Sequence, residues 1–518
     1  MDEIVRASGT ASTLVADPPA ESKLVTSNPV DHTRALIVEA MTKYVAAGMA
    51  PFATPGHKLG ASFDPQLKAL YGADALKADI SMGGGIDDVH FREDVWKKAE
   101  AMGADAWGAE RTFYLVNGSS AGNLAFLLAT LKPGDKIICG RDMHKSMMVA
   151  LIHTGAVPVY VAPRLHPELN VGLGIHPVDI AAALNANPDA KLVALVSPSY
   201  CGVSSDLESI AGIAHAHGVP LYVDEAWGPH FHFHDELPKS AMQSGADGAV
   251  TSTHKLLGAI TQSAILNVQG PRVDFGRVAT TVGMSQTTSP AAYIVASIDG
   301  CRRQMALYGK EMLDRTIELA EDAHRRLEAI PGIVVLDAES LGAYDYDQTK
   351  LLIDVNGIGL TGYEIEIQLR NRFGILPEQS DSTGVTCLVT VGDTQTSIDR
   401  LVSAFETIAR ELNGARAPIV GRARRSSGIV LSPGTQAMSP RDAFYSINRA
   451  IPLADALGEV SGELVIPYPP GIPVLAPGDI ISAEKLEYLI YAATEGIYFS
   501  GAADHDLNTI RVVDRIVR

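Results

Sequence analysis

Between residues 110 and 270 the chain alternates between two kinds of pattern. Short apolar, β-branched runs occur at KIICG (136–140), VPVYVA (157–162), KLVALVS (191–197), VPLYVDEA (219–226) and SAILNV (263–268). Between them lie stretches of helical periodicity: SAGNLAFLLATL (120–131), SMMVALIHTG (146–155), PVDIAAALNA (177–186) and DLESIAGIAHAHG (206–218). Strand, helix, strand at this spacing predicts βαβ units on a mainly parallel sheet, an α/β fold. The strand runs are apolar throughout, as they are when helices cover both faces of a sheet.

Upstream, residues 1–28 are rich in Ser, Thr, Ala and Pro and read as a loose arm; a helix is predicted over 32–48, followed by a Pro/Gly/His turn at PFATPGHKLG. Downstream, a long amphipathic helix over about 300–330 reads as a bridge into a smaller α+β region. That region has strand-like IVVLD (333–337), KLLIDV (350–355) and TCLVTVG (386–392), with helices near 361–374 and 395–413. The basic, loop-like stretch 415–428 marks a boundary, and beyond it come the Pro-rich IPYPPGIPVLAPGD (466–479), a helix near 482–494 and a strand at 509–513. The expected division is an arm and helix (1–50), a major domain (51–310), a small α+β domain (311–415) and a C-terminal domain (416–518).

Composition narrows the function. With 518 residues, 46% hydrophobic and 20% charged, the chain is globular rather than disordered. Lys and Arg total 42 against 60 Asp and Glu, a net charge of -18, which lacks the basic footprint that nonspecific nucleic-acid binding needs. The four cysteines form no CxxC pair, so neither a zinc site nor a disulfide framework is expected, and a reducing cytosol fits. The N-terminus has no secretory h-region, and no apolar run approaches the ~20 residues of a membrane span. A cytoplasmic protein without membrane partners is the expectation.

Three short motifs carry chemistry. GxGxxG and GxxxxGK[ST] are both missing, and GGGIDDVH (83–90) has neither spacing, which argues against dinucleotide and P-loop nucleotide folds. NGSSAGN (117–123) follows the strand-like TFYLV and opens a helix; free N–H groups and hydroxyls there can cradle a phosphate, although alone a simple serine N-cap is the better reading. In YVDEAWG (222–228), Asp224 ends an apolar strand, where α/β folds bind ligands; alone it equally caps a turn. In TSTHKLLGA (251–259), Lys255 stands between two apolar strands, where desolvation can make it a Schiff-base nucleophile; a solvated loop lysine is the plainer reading. Together, a phosphate cradle, a strand-end Asp and a Lys about 30 residues later have the layout of a type I pyridoxal-phosphate (PLP) enzyme.

TPGHKLG (54–60), GGIDDVH (84–90), NGSSAGN, DMHKSMM (142–148), DEAWGPHFHFHDELP (224–238), STHKLLGAITQSAIL (252–266), QTTSPAAYIVASID (286–299) and IPYPPGIPVLAPGD, in this order, resemble blocks of the bacterial ornithine/lysine/arginine decarboxylase family. The resemblance covers about residues 50–515 and is to the short form typified by biosynthetic arginine decarboxylases, which lacks the N-terminal wing of the acid-stress members. It implies an aspartate aminotransferase-like major domain and a PLP cofactor. Lys255 would bond the cofactor, Asp224 would hold its pyridine nitrogen protonated, and Ala226 and His144 would cover its two faces. Ser119, Ser120, Ala121, Ser252 and His254 would bind the phosphate. Thr287 and Thr288 would reach it from a neighbouring subunit, so the resemblance implies a homodimer or larger homo-oligomer. Trp227 would sit beside the cofactor, where short members often carry His and long lysine enzymes often carry Trp.

The same resemblance puts Glu463 near the distal cation of the substrate and His57, with Lys58, at the site entrance; a surface glutamate and a structural turn are the alternatives. His230, His232 and His234 alternate, so a strand would put them on one face, but the resembling stretch binds no metal and none is expected. The implied activity is decarboxylation of a basic amino acid: first arginine to agmatine (polyamine metabolism), then lysine to cadaverine, then ornithine to putrescine. A PLP aminotransferase and a catalytically silent regulatory homologue are the alternatives in other classes.

Overall fold

The computed structural model describes residues 30–82, 95–166, 169, 171–412, 414–419, 433–468, 472–494 and 496–515. The arm read over 1–28, the GGGIDDVH motif, most of the basic boundary stretch and residues 469–471 of the Pro-rich segment lie outside them. One compact unit, His32–Arg518, holds every element below.

In chain order the first strands are β1 (Arg111–Leu115), β2 (Lys136–Gly140), β3 (Val157–Val161), β4 (Leu192–Val196), the two-residue β5 (Val203–Ser204), β6 (Leu221–Asp224), β7 (Gly248–Thr251) and β8 (Ala264–Val268). Among the described residues, all but β5 form one seven-stranded sheet in the order β1-β8-β7-β6-β4-β2-β3. Every pairing is parallel except those of β8, which runs antiparallel to both β1 and β7. The connection suits the reversal: residues 252–263 link β7 to β8 and hold only the one-turn helix Thr253–Leu256, without the longer helix that usually carries a parallel crossover.

Both faces of the sheet are covered. In β4, Leu192 and Ala194 enter one apolar core with the helix Gly118–Thr130, while Val193 and Leu195 enter another with the helix Leu207–Ala216. Each such aliphatic side chain contributes roughly 1.5–3 kcal/mol by leaving water. The helix Gly118–Thr130 lies unusually close to the strands. A Cβ on Gly122 would stand 2.6 Å from Val250 Cγ2, and one on Gly248 would stand 2.3 Å from Phe126 Cε2. The Phe126 ring then stacks on Tyr222 at a centroid distance of 4.2 Å. This contact seats the middle of the helix on β6 and β7.

The bridging helix runs over Ala292–Glu328, 37 residues, and begins earlier than its amphipathic pattern predicts. Most of its first turns, AYIVASID, packs inside the major core, Tyr293 being exposed, so no polar stripe marks them as helical. Its C-terminal half lies against an antiparallel sheet of order β12-β13-β11-β9, built from β9 (Val334–Leu336), β11 (Lys350–Asp354), β12 (Gln379–Ser380) and β13 (Gly384–Leu388); β10 (Asp345–Tyr346) leaves that sheet and pairs with β5. Further on, β14 (Ile447–Pro452) pairs with β17 (Thr509–Arg515) and β15 (Ile466–Tyr468) with β16 (Tyr498–Ser500), around a core shared with the helix Ala483–Thr494.

Candidate active site

Parallel strands point their C-terminal ends to one edge, and the predicted site residues follow those ends. The helix Gly118–Thr130 starts just after β1, and Gly118 adopts a φ of +71°, a left-handed turn that suits glycine. The side chain of Asn117 does not cap this helix, so its first-turn N–H groups remain donors, with half-buried Ser119 and exposed Ser120 beside them and Ala121 buried. His144 follows β2 and caps the helix Lys145–Thr154. Asp224 is the last residue of β6, in register with Val196 on one side and Val250 on the other. Lys255 follows β7.

Asp224 is 3% exposed, and its burial requires partners. Asn123 Nδ2 donates to Asp224 Oδ2 at 2.7 Å and Ala226 N donates to Oδ1 at 3.2 Å. The Asn123 amide also donates to Ser146 Oγ at 2.9 Å and accepts from the Tyr222 hydroxyl at 2.8 Å. Ser146 Oγ lies 2.8 Å from His144 Nδ1, and Ser146 N donates to the same nitrogen at 3.2 Å. One polar network therefore joins Asp224 to His144. Burial lowers the pKa of His144, opposed by the charge of Asp224.

Lys255 is half-buried, its Nζ 3.6 Å from the centre of the Trp227 ring. Burial pushes its pKa down to about 8, against the pull of Asp224 and Glu378 and with the help of Lys350. Such an amine loses its proton near neutrality, as a nucleophile must. Beside it, Ser252 Oγ is buried without a hydrogen-bond partner among the described residues, a donor left for a ligand. His254 Nδ1 lies 2.7 Å from the Ser263 carbonyl, which leaves Nε2 for a ligand.

Residues 36–397 match the family model described as Orn/Lys/Arg decarboxylase, major domain. The chain belongs to that family. Residues 424–504 match the family's C-terminal domain. A relative named arginine decarboxylase, from Bacillus subtilis (strain 168), is 41% identical over 478 residues, covering 91% of this chain and 96% of its own. A second of the same name, from Halalkalibacterium halodurans, is 40% identical over 89% of this chain and 94% of its own. The crystal structure of the Francisella novicida lysine decarboxylase superposes with a TM-score of 0.80 at 22% identity, covering 93% of this chain and 81% of that one, which establishes the shared fold. The protein is thus a decarboxylase, with the α/β architecture that its sequence implies.

The other expected residues have the following partners in this chain. Thr287 and Thr288 are exposed on this chain, and the neighbouring Gln286 is tied to the end of β1 by bonds to Val116 N and the Tyr114 carbonyl, 2.7 and 2.8 Å. His57 is engaged locally: Nε2 lies 3.1 Å from Asp79, and Nδ1 accepts from Gly60 N at 2.9 Å. Glu463 is 7% exposed, and its two oxygens accept from Ala503 N and Arg511 N, each at 2.7 Å. Its carboxylate is occupied by backbone amides of the C-terminal region.

The alternating histidines need a correction. They do not share a strand face, because the strand ends at Asp224, the chain turns at Ala226 and Trp227, and Phe231–Phe233 is a 3-10 turn. His230 faces Asp347 at 3.2 Å, His234 faces Asp314 at 2.8 Å, and His232 packs on Gly108. Among the described residues, no group of three or more His, Cys, Asp or Glu could hold a metal ion.

Sequence reasoning missed Asn123 as a ligand of Asp224 and Glu378 as a charge bearing on Lys255. Asn123 ends the quoted NGSSAGN motif, so its position was visible even though its partners, 23 and 101 residues away, were not.

Proposed function

We propose that this decarboxylase converts L-arginine to agmatine and CO2, with PLP held at the strand ends described above. The observation that carries the cofactor is the pairing of a half-buried lysine, pKa about 8, with a buried strand-end carboxylate. The residues fit PLP at three of its polar groups. Asp224 suits a pyridine nitrogen that must stay protonated, Lys255 suits the aldehyde, and the uncapped helix start with the unpartnered Ser252 Oγ suits a phosphate. The relatives named arginine decarboxylase, alike over about nine-tenths of the chain, support the substrate. Lysine giving cadaverine is the second reading, favoured by Trp227 at the wall of the site.

When bound, PLP supplies an electron-accepting ring for the bonding pair released as the Cα–carboxylate bond breaks. Asp224 holds the proton on the ring nitrogen, and Asn123 keeps that carboxylate aimed. His144 would cover one face of the ring and Ala226 the other. Lys255 would hold the cofactor and, once released as an ammonium, would be the group able to return a proton to the substrate's Cα from its Nζ. The exposed carboxylate of Glu378, whose charge acts on Lys255, favours a cationic substrate at the mouth.

We place the enzyme in the cytoplasm as a homodimer at least. Its four cysteines are free and buried, in keeping with a reducing compartment, and among the described residues no helix is long and apolar enough to cross a membrane. Thr287 and Thr288 are exposed near Met284, itself 74% exposed, a surface suited to a second copy whose phosphate these hydroxyls would reach.

The test is product analysis by mass spectrometry. PLP-saturated enzyme receives equimolar arginine, lysine and ornithine, with Lys255→Ala as control. Agmatine alone supports arginine, and cadaverine or putrescine moves the substrate while keeping the chemistry. No amine from any of the three would overturn the proposal.

A further inference from the structure

A buried ionic cluster lies in the turn from β10 to β11. Lys350 opens β11 with its side chain fully buried, and its ammonium is paired with the equally buried Asp347. The same ammonium donates to the Trp227 carbonyl at 3.1 Å. Asp347 is also bound by the Thr349 hydroxyl at 2.6 Å and faces His230 Nε2 at 3.2 Å. One turn of the small sheet therefore grips both Trp227 and His230, in the loop that leaves β6 just after Asp224. On its other side, the Trp227 indole bears on Lys255 Nζ at 3.6 Å.

An ammonium out of water is costly unless it is paired and hydrogen-bonded, and an apolar pair of similar volume often holds a fold as well. What the charge adds here is a directed bond to one carbonyl in the wall of the site. We infer that Lys350 is a positioning residue for the decarboxylation: its ammonium, countered by Asp347, fixes the Trp227 peptide and so the indole against which Lys255 is held. The inference rests on the reading that Lys255 bonds PLP. Burial of Asp347 would raise its pKa, yet Lys350 and His230 hold it well below the ordinary carboxylate range, so the pair remains ionic. The charge of Lys350 also reaches Lys255, together with those of Asp224 and Glu378.

A double-mutant cycle tests the coupling. The pair is neutralised together as Asp347→Asn with Lys350→Met, so that no lone charge is left buried, and is combined with Trp227→Phe. PLP is added to each apo-protein, and the rate at which the visible absorbance of lysine-bound cofactor appears is measured, alongside kcat, KM and Tm. The neutral pair is expected to slow cofactor capture and lower kcat roughly tenfold, and to cost less than about twofold once Trp227 is Phe. Equal losses in both backgrounds, or a lower Tm with capture unchanged, would overturn the inference. If the neutral pair does not fold, Lys350→Arg keeps the charge but alters the bond geometry; its loss must also shrink in the Phe background, and an undiminished loss overturns the inference. No visible band from the wild type would remove the cofactor reading and this inference together, whereas a band with additive losses would remove this inference alone.

Discussion

Asn123 Nδ2 stands 2.7 Å from Asp224 Oδ2 and donates to it. The amide cannot be turned over without loss, because its oxygen accepts from the Tyr222 hydroxyl and its nitrogen also donates to Ser146. The Ser146 hydroxyl is then free to donate to His144 Nδ1, which also receives the Ser146 N–H, so the neutral imidazole carries its proton on Nε2.

Asn123→Ala leaves a buried hydroxyl and a buried carboxylate each short of a partner. The variant should lose about 1–3 kcal/mol of stability and roughly ten- to a hundredfold in kcat, with KM little changed. Denaturant melts and steady-state kinetics check this. A variant with wild-type kcat would show that Asp224 needs no such support.

Cofactor capture should follow the ionisation of Lys255. Its pKa of about 8 lies below the ordinary lysine value, and only the unprotonated amine attacks an aldehyde. The rate of PLP capture by the apo-enzyme should therefore rise about tenfold per pH unit below that pKa and level off above it. Glu378→Gln removes a charge that raises the pKa, so the plateau should begin at lower pH. Stopped-flow absorbance across pH reads both effects.

Binding of the phosphate should recruit a proton to His254. The Ser263 carbonyl can only accept, so Nδ1 carries hydrogen, and burial, with a lesser effect of Lys255, lowers the pKa of the ring. A neutral ring offers a lone pair at Nε2, the wrong partner for an anion. Calorimetry in buffers of different ionisation heat should show more proton uptake by the wild type than by His254→Gln, whose PLP affinity should fall about tenfold. Equal uptake in the two proteins would exclude the histidine.

Glu225 should make the apo-protein less stable as pH rises. Burial pushes its pKa up to about 8, although Ala241 N donates to it. A raised carboxylate pKa means that the folded state binds the extra proton. The stabilisation is complete below the unfolded value near 4.5 and is lost through about 8, on the order of 1 kcal/mol per pH unit. Glu225→Gln should flatten that dependence of Tm; an unchanged slope would place its origin elsewhere.

The features legible in the sequence are those with local causes. Apolar runs and helical periods mark the βαβ units, and the family resemblance carried by motifs such as DEAWG and STHKLLGA is borne out by the match over 36–397. Features caused by distant contacts were not legible. The first turns of the bridging helix are mostly apolar because they pack in the core. Lys350, a charge ahead of an apolar strand, reads as a solvated edge until the Trp227 carbonyl, 123 residues away, is brought to it. The histidine alternation misleads because period two is also what a tight turn after Gly228 and Pro229 happens to contain.

The helix Ala292–Glu328 belongs to two hydrophobic interiors at once. At 37 residues it is about 55 Å of continuous hydrogen-bonded rod. Cutting the chain within it would strip a wall from both interiors, so the two regions are mechanically in series and should melt as one cooperative transition. The same rod carries any twist of the small sheet to the turns just after the exposed Thr287 and Thr288, making that surface sensitive to events at the far end of the molecule.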